Sequence, residues 1–226
     1  MIVSIHVPKT AGKSFRLRLE ALYGSRLLAD YTDWVGLDTP EAHAQRAEQA
    51  AKMRARLDEI ALNYDIIYGQ FIADKYAGLF TTVEFTTFLR EPCQQAVSHY
   101  EFVLRHPELQ HPWIKKFHEL RPSLPELIQA MPNFQSIFMG NVALDDFAMV
   151  GLMEQYERSV ALFEAIFRRK LPPEAERANV NPNRNNDGYA IDPAVRHAIE
   201  TYSAADVALY RRAQEVFAKL TARYGV

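Results

Sequence analysis

The stretch Val3-Ser4-Ile5-His6-Val7-Pro8-Lys9-Thr10-Ala11-Gly12-Lys13-Ser14-Phe15 constrains the fold of this chain more than any other. An apolar run at the start of the sequence stops at Pro8. A turn of small residues follows, and then Phe15, Leu19 and Leu22 recur at helical spacing. Strand, tight turn and helix start form the geometry in which unpaired backbone N–H groups and the positive end of a helix dipole converge on an anion. Lys9 and Lys13 add charge, and Thr10 and Ser14 add hydroxyl donors. The stretch reads as a phosphate cradle; the competing reading is an ordinary βα turn with surface lysines.

The rest of the chain supplies a fold for such a cradle. Residues 64–68, 83–89 and 146–152 read as further strands, and the segments between them carry helical patterns at 94–105 and 156–169. Residues 41–62 read as one long solvated helix, 26–37 show no clear period, and 106–125 look irregular. The Asp192-Pro193 pair opens a final helical region with a break expected near Ser203. Strands alternating with helices predict an α/β fold: a P-loop-like, doubly wound, mostly parallel sheet flanked by helices, in a single domain over 1–226. In such sheets ligands collect at the carboxyl ends of the strands, where this chain places Gly69-Gln70-Phe71 and Arg90-Glu91-Pro92.

Of 226 residues, 48% are hydrophobic and 24% charged, enough for a sizeable core in a soluble protein. The net charge of −2 provides no global field to gather polyanions, which argues against nucleic acid or a highly sulfated polysaccharide as partner. One cysteine, Cys93, excludes an intramolecular disulfide framework. No targeting segment precedes the first strand and no apolar run is long enough to span a bilayer, so no membrane insertion and a cytoplasmic location are expected.

A second constellation is Phe88-Leu89-Arg90-Glu91-Pro92 followed by Ser98-His99-Tyr100. An arginine fork at a strand end, with a hydroxyl about two helical turns further on, is a good receptor for a phosphate monoester. A helix-capping arginine in a structural ion pair is the plainer reading. For the first stretch, a Walker A loop, G-x-x-x-x-G-K-[ST], would need glycine at position 7, where this chain has Val7.

Both stretches resemble the PAPS-dependent sulfotransferases, in particular the Golgi-type and heparan-sulfate-2-O-sulfotransferase-like family; PAPS is 3′-phosphoadenosine 5′-phosphosulfate. That family's phosphosulfate loop follows a pattern like H-I-P-K-T-A-G-T-S, matched here by His6, Pro8, Lys9, Thr10, Ala11, Gly12 and Ser14, with Lys13 departing. Its 3′-phosphate element follows F-L-R-D-P…S-x-Y-Y, matched by Phe88, Leu89, Arg90, Pro92, Ser98 and Tyr100, with Glu91 replacing an aspartate. Looser similarities lie at Phe134–Gly140, Val150–Glu154, Asp206…Leu209-Tyr210 and Asn179-Val180-Asn181. Animal members are anchored in the Golgi; without an anchor, a bacterial, cytoplasmic enzyme is the expectation.

The resemblance implies a sulfuryl transfer from PAPS, with PAP as product, to a hydroxyl or amine of a small-molecule acceptor. Lys9 would polarise the departing oxygen. The 5′-phosphate would lie on Lys9, Thr10, Ala11, Gly12, Lys13, Ser14 and Phe15, the 3′-phosphate on Arg90 and Ser98, and Asn181 would lie in the loop over the nucleotide. Gln70 stands where many members carry a histidine thought to be the general base, and an amide cannot take a proton. Asp74, His99 and Glu101 are open alternatives. No His/Cys/Asp/Glu group has metal-ligand spacing, so no metal is expected. Two rivals remain, a P-loop-type nucleotide-dependent kinase and a non-catalytic PAP- or nucleotide-binding relative.

Overall fold

A run such as Ile2-Val3-Ser4-Ile5, buried along its whole length, needs cover on both faces, which a parallel sheet between helix layers supplies. The computed structural model describes residues 1–173 and 188–226. In chain order they form β1 (Ile2–Ile5), α1 (Gly12–Tyr23), β2 (Leu27–Asp30), α2 (Pro40–Arg54), α3 (Leu57–Asn63), β3 (Ile66–Gly69) and β4 (Glu84–Leu89). There follow α4 (Pro92–Arg105), α5 (Pro112–Leu120), α6 (Leu124–Ala130), α7 (Phe134–Met139), β5 (Met149–Leu152), α8 (Tyr156–Phe167), α9 (Pro193–Tyr202) and α10 (Ala204–Tyr224).

The strands form one sheet in the order β2-β3-β1-β4-β5, and every pairing is parallel. This is the expected α/β fold, and its strand order is compatible with double winding. The chain leaves β1 toward one edge and returns past it to β4 on the other side. The gap between the carboxyl ends of β1 and β4 is therefore the switch point at which such sheets bind ligands. Phe15 of α1 packs against Phe88 and Phe163, with ring centroids 4.7 and 5.2 Å apart, which joins α1, β4 and α8 in the main core. A second apolar cluster joins α4, α6 and α9 through Cys93, Ile128, Val195 and Ile199. Among the described residues no helix is long and apolar enough to cross a membrane.

Four local expectations are corrected. Residues 26–37 include an edge strand, β2, whose pairing with β3 supplies what its own sequence pattern does not. The solvated helix over 41–62 is two helices: the chain turns at Ala55 and Arg56, which lets Ile60 of α3 reach the core while α2 buries only Ala42. Residues 106–125 contain α5, whose Trp113, Ile114 and Phe117 form an apolar cluster with Val103. The last strand starts at Met149; Leu144–Asp146 is a 3-10 turn. The break at Ser203 between α9 and α10 is present as expected, and Ser123 and Glu126 form a capping box at the start of α6.

One glycine sets the width of the sheet's ligand-facing edge. A Cβ on Gly69 would stand 1.6 Å from the Asp30 carbonyl oxygen, so only glycine lets β2 pair this closely at the end of β3. The Asp30 carbonyl then accepts the Gln70 N–H at 2.9 Å, which fixes where Gln70 leaves the sheet.

Candidate functional site

Between β1 and α1 the backbone takes a left-handed conformation at two non-glycine residues, Lys9 (φ 68°) and Ala11 (φ 70°). Alternation of this kind turns successive N–H groups into one concavity, a form of anion receptor. The Thr10 hydroxyl donates inward to the Val7 carbonyl at 2.8 Å and thereby braces the turn. Among the described residues no side chain caps the N-terminus of α1, and no acidic residue lies in its first turn, so its leading N–H groups face the cleft with their dipole unopposed. From α4, Gln95 Nε2 donates to the Pro8 carbonyl at 3.0 Å, and Arg90 Nη1 donates to the Lys9 carbonyl at 3.3 Å. The loop and the end of β4 are thus one hydrogen-bonded unit.

This unit forms one wall of a cleft of about 1250 Å³. Lys9, Ala11, Gly12, Lys13, Ser14, Gln70, Arg90 and Ser98 all line it, so the structure brings the two sequence constellations together. Thr10 and Phe15 do not line it: the Thr10 hydroxyl is committed to Val7, and Phe15 is a core side chain whose N–H is spent on the Ala11 carbonyl. Asn181 lies outside the described residues. Of the open alternatives to Gln70, only His99 lines the cleft. Asp74 is turned away, accepting from the Asn141 N–H and side-chain amide at 2.8 and 2.7 Å.

The cleft is cationic at this wall. Burial, and then the charges of Arg105, Arg90 and Lys13, pull the Lys9 ammonium down to about 8. Lys9 and Lys13 form no ion pair among the described residues; the Lys9 ammonium rests over the Phe102 ring, 4.5 Å from its centroid. His6 and His99 are both held down to about 3, first by burial, His6 also by Arg16 and Lys9, and His99 also by Lys9 and His111. Both are therefore neutral imidazoles at neutral pH. The His6 ring hydrogen-bonds the Tyr31 hydroxyl through Nδ1 at 2.9 Å and stacks on Tyr68, with centroids 5.5 Å apart. It also closes over Gly12, where any Cβ would stand 1.9 Å from its Cδ2.

Arg90 is framed from behind by the looser motifs. Gln135 of α7 accepts the Arg90 N–H at 3.0 Å and donates to its carbonyl at 2.8 Å. Asp206 in turn accepts the Gln135 and Ser136 N–H groups at the start of α7. Glu154 accepts the Glu91 N–H at 2.9 Å and the Tyr210 hydroxyl at 2.9 Å. Segments separated by more than a hundred residues in the sequence converge to fix one arginine. A scan against protein-family models found no match to the chain, and a search of curated proteins found none.

Sequence reasoning missed several residues of the cleft. Phe102 and Arg105 line it with Ser98 at helical spacing on α4, a signal that periodicity counted from Ser98 contains. Tyr189 also lines it, fixed by Gln94, whose amide accepts the Tyr189 N–H at 2.9 Å and donates to its carbonyl at 2.8 Å. Asp33 enters from the loop after β2 and had no signal, because β2 itself was not visible. Asp33 belongs to a buried group: Lys75 reaches Asp33 Oδ1 at 2.6 Å and Asp30 Oδ2 at 2.7 Å, and Tyr76 donates to Asp30 Oδ2 at 2.7 Å. Burial pushes the Asp33 carboxyl up, against the pull of Lys75. Lys75 and Tyr76, with the Thr32 hydroxyl, hold Asp30 below the usual carboxylate range against its burial. Among the described residues no cluster of His, Cys, Asp and Glu could hold a metal ion.

Proposed function

We propose that this chain is a PAPS-dependent sulfotransferase, moving a sulfuryl group to a hydroxyl or amine of a small acceptor, and working in the cytoplasm. The observation that carries the reading is a pair of anion receptors on one cleft. One is the β1–α1 loop with Lys9 and Lys13; the other is buried Arg90 with Ser98, tied to the first through the Lys9 carbonyl. A 3′,5′-bisphosphate nucleotide uses two separated receptors, whereas the phosphate chain of ATP uses one. The residues fit such a ligand also in charge: burial lowers Lys9 most, and the repulsion from Arg105, Arg90 and Lys13 that adds to it is relieved by a polyanion.

PAPS supplies, when bound, a sulfuryl group already activated by its phosphate leaving group. The chain's own contribution is positioning and charge stabilisation, as in phosphoryl transfer. The N–H groups at the start of α1 hold the 5′-phosphate, and Arg90 and Ser98 hold the 3′-phosphate. The Lys9 ammonium opposes the negative charge that develops on the departing oxygen. The aromatic side chains Tyr31, Trp113, Phe134 and Phe138 line the remainder of the cleft and suit a partly apolar acceptor. The cations in this mechanism are side chains, and activity is expected to survive chelation.

Calorimetric titration with PAP, ADP and AMP tests the reading. PAP should bind at least ten- to a hundredfold more tightly than the other two, since each charge-assisted hydrogen bond to the 3′-phosphate contributes about 1.5–3 kcal/mol. Arg90→Ala should remove most of that preference. Equal affinity of the unmodified protein for ADP and PAP would refute the proposal and favour the kinase reading, for which Gly12-Lys13-Ser14 is the supporting motif.

A further inference from the structure

We infer that Asp33 takes the proton from the acceptor, and that the acceptor is a phenol or an equally weakly acidic hydroxyl on an aromatic ring. The inference rests on the proposed sulfotransferase function and deepens it, because Gln70 cannot act as a base.

Asp33 and Asp30 share the single ammonium of Lys75, and all three side chains are 3% exposed. The group therefore carries one surplus negative charge in a buried place. The two carboxylates are used differently. Asp30 has both oxygens occupied, Oδ1 by the Thr32 hydroxyl at 2.8 Å and Oδ2 by Lys75 and Tyr76. Asp33 uses Oδ1 for Lys75, and its Oδ2 makes no hydrogen bond among the described residues, while the residue lines the cleft. A second buried carboxylate costs several kcal/mol in desolvation, on the order of what an ion pair in such a place recovers. An asparagine would fill the same space at lower cost. A structural role accounts for Asp30 and Lys75 but leaves Asp33 unexplained.

The carboxylate is also held in place. Gln45 of α2 accepts the Trp34 N–H at 3.0 Å and donates to the Thr32 carbonyl at 2.6 Å, gripping the backbone on both sides of Asp33. Arg46 donates to the Trp34 and Leu37 carbonyls at 2.7 and 3.0 Å. The charges that bear on Asp33 are Lys75, Asp30 and Arg46. Strand β3 lies between β2 and β1. The loop after β2 thus leaves the sheet about two strand spacings, roughly 10 Å, from the one after β1, room for a transferred group and its acceptor atom. The neighbouring lining residues Tyr31, Val35, Phe134 and Phe138 offer apolar and aromatic surface to a ring whose hydroxyl meets Asp33.

In the step itself the acceptor O–H bond breaks and its proton passes to Asp33 Oδ2. The oxygen's electron pair forms the new O–S bond, and the S–O bond to the nucleotide phosphate breaks with its pair left on the phosphate oxygen. A carboxyl pushed above its usual range by burial accepts that proton more readily.

The test uses 4-nitrophenol, colourless as the phenol and yellow as the anion, titrated against pH in the complex of the full chain with PAP. A carboxylate facing the hydroxyl disfavours the anion, so the bound phenol should keep its proton to a higher pH than the free one. Asp33→Asn should bring the titration back down by about one pH unit or more, a tenfold change in the equilibrium. Turnover with PAPS should fall about 10²–10⁴-fold in Asp33→Asn for 4-methylphenol and much less for the more acidic 4-nitrophenol.

A titration unmoved by the substitution, a bound phenol that ionises more readily than the free one, or no binding of the phenol to the PAP complex would each overturn the inference. PAP affinity on the same samples separates this from the function itself. A parent that does not prefer PAP to ADP fails the sulfotransferase reading, whereas a variant that keeps PAP affinity has folded. If Asp33→Asn does not fold, the direction of the shift in the unmodified complex decides.

Discussion

Replacing Gly12 by alanine probes the cradle without assuming any ligand. The added Cβ would stand 1.9 Å from His6 Cδ2 and 2.0 Å from Nε2, where ordinary contact begins at 3.4 Å. The imidazole must move by roughly 1.5 Å, the difference between those distances, or the loop must open. The ring is not free to do so, because Nδ1 is bound to the Tyr31 hydroxyl and its face lies on Tyr68. Losing that hydrogen bond costs about 0.5–1.5 kcal/mol, and losing the stacking costs about as much. Alanine returns at most about 1 kcal/mol of helix propensity over glycine, and less at the first helical residue. The net is a loss of about 1–2 kcal/mol, or a fall in Tm of roughly 2–8 °C for a chain of this size. Urea or thermal unfolding reads it directly. In the double variant His6→Ala/Gly12→Ala the obstructing ring is gone, so the second substitution should add almost nothing, a coupling of about 1–2 kcal/mol. A Gly12→Ala protein as stable as the parent, or strictly additive effects, would refute the closeness of His6 to the helix start.

Three further outcomes are expected. Because Lys9 is drawn down to about 8, the free protein loses this charge above that pH, and a bound polyanion restores it; calorimetry of PAP in buffers of different ionisation enthalpy should show proton uptake near pH 8, absent in Lys9→Met. Lys9→Ala should lower kcat much more than it weakens PAP binding, since the leaving-group charge exists only as the bond breaks, and equal losses in both would make Lys9 a simple binding residue. His6 and His99, neutral down to about pH 3 in the folded chain, take up protons near 6.5 once unfolded. Their contribution to stability is present above pH 6.5 and lost as pH falls toward 3, at up to about 1.4 kcal/mol per pH unit for each. Urea midpoints at pH 7 and 5 measure that slope, and His99→Phe should flatten it.

The parts of the fold that were legible in the sequence are those whose pattern is carried locally. Ile2–Ile5, Ile66–Gly69 and Glu84–Leu89 announce themselves as apolar or β-branched runs ending in polar residues, and their parallel arrangement follows from the helical segments between them. Arg90 and Ser98 could be placed at one end of the sheet because a strand end and helical spacing fix their direction. Leu27–Asp30 could not be read, since a four-residue edge strand has no period of its own and owes its form to β3. The place of Asp33 at the cleft was therefore out of reach. The left-handed turn at Lys9 and Ala11 was equally hidden, because such backbone is signalled in sequence by glycine and here is not. Even the Gln135 clamp on Arg90, though its segment had been singled out, depends on a contact 45 residues apart that no local pattern encodes.

The placement of charge favours one direction of electron movement. On the surface opposite charges pair off, as Arg26 does with Asp65 and Arg56 with Glu59. In the cleft Arg16 pairs with Glu20 in the same way, but the charges at the two ends of the proposed transfer are kept apart. Lys9 and Lys13 stand at the β1–α1 loop with no acid on them among the described residues, and the surplus carboxylate of the Asp30–Lys75–Asp33 group stands beyond β3. Two left-handed non-glycine residues, each costing on the order of 1 kcal/mol, and a partly neutralised lysine are what the loop expends to hold this arrangement. Structural elements follow local rules, and departures from them concentrate where a chain does its work. In the proposed transfer, negative charge moves from the acceptor oxygen, near Asp33, to the departing oxygen, near Lys9. A field fixed in advance between those two groups lowers the barrier to that movement and requires no reorganisation when the bond breaks. On the proposed function, the same field opposes the placement of an anion at Asp33, so the accepting atom it favours there is a neutral hydroxyl with a removable proton.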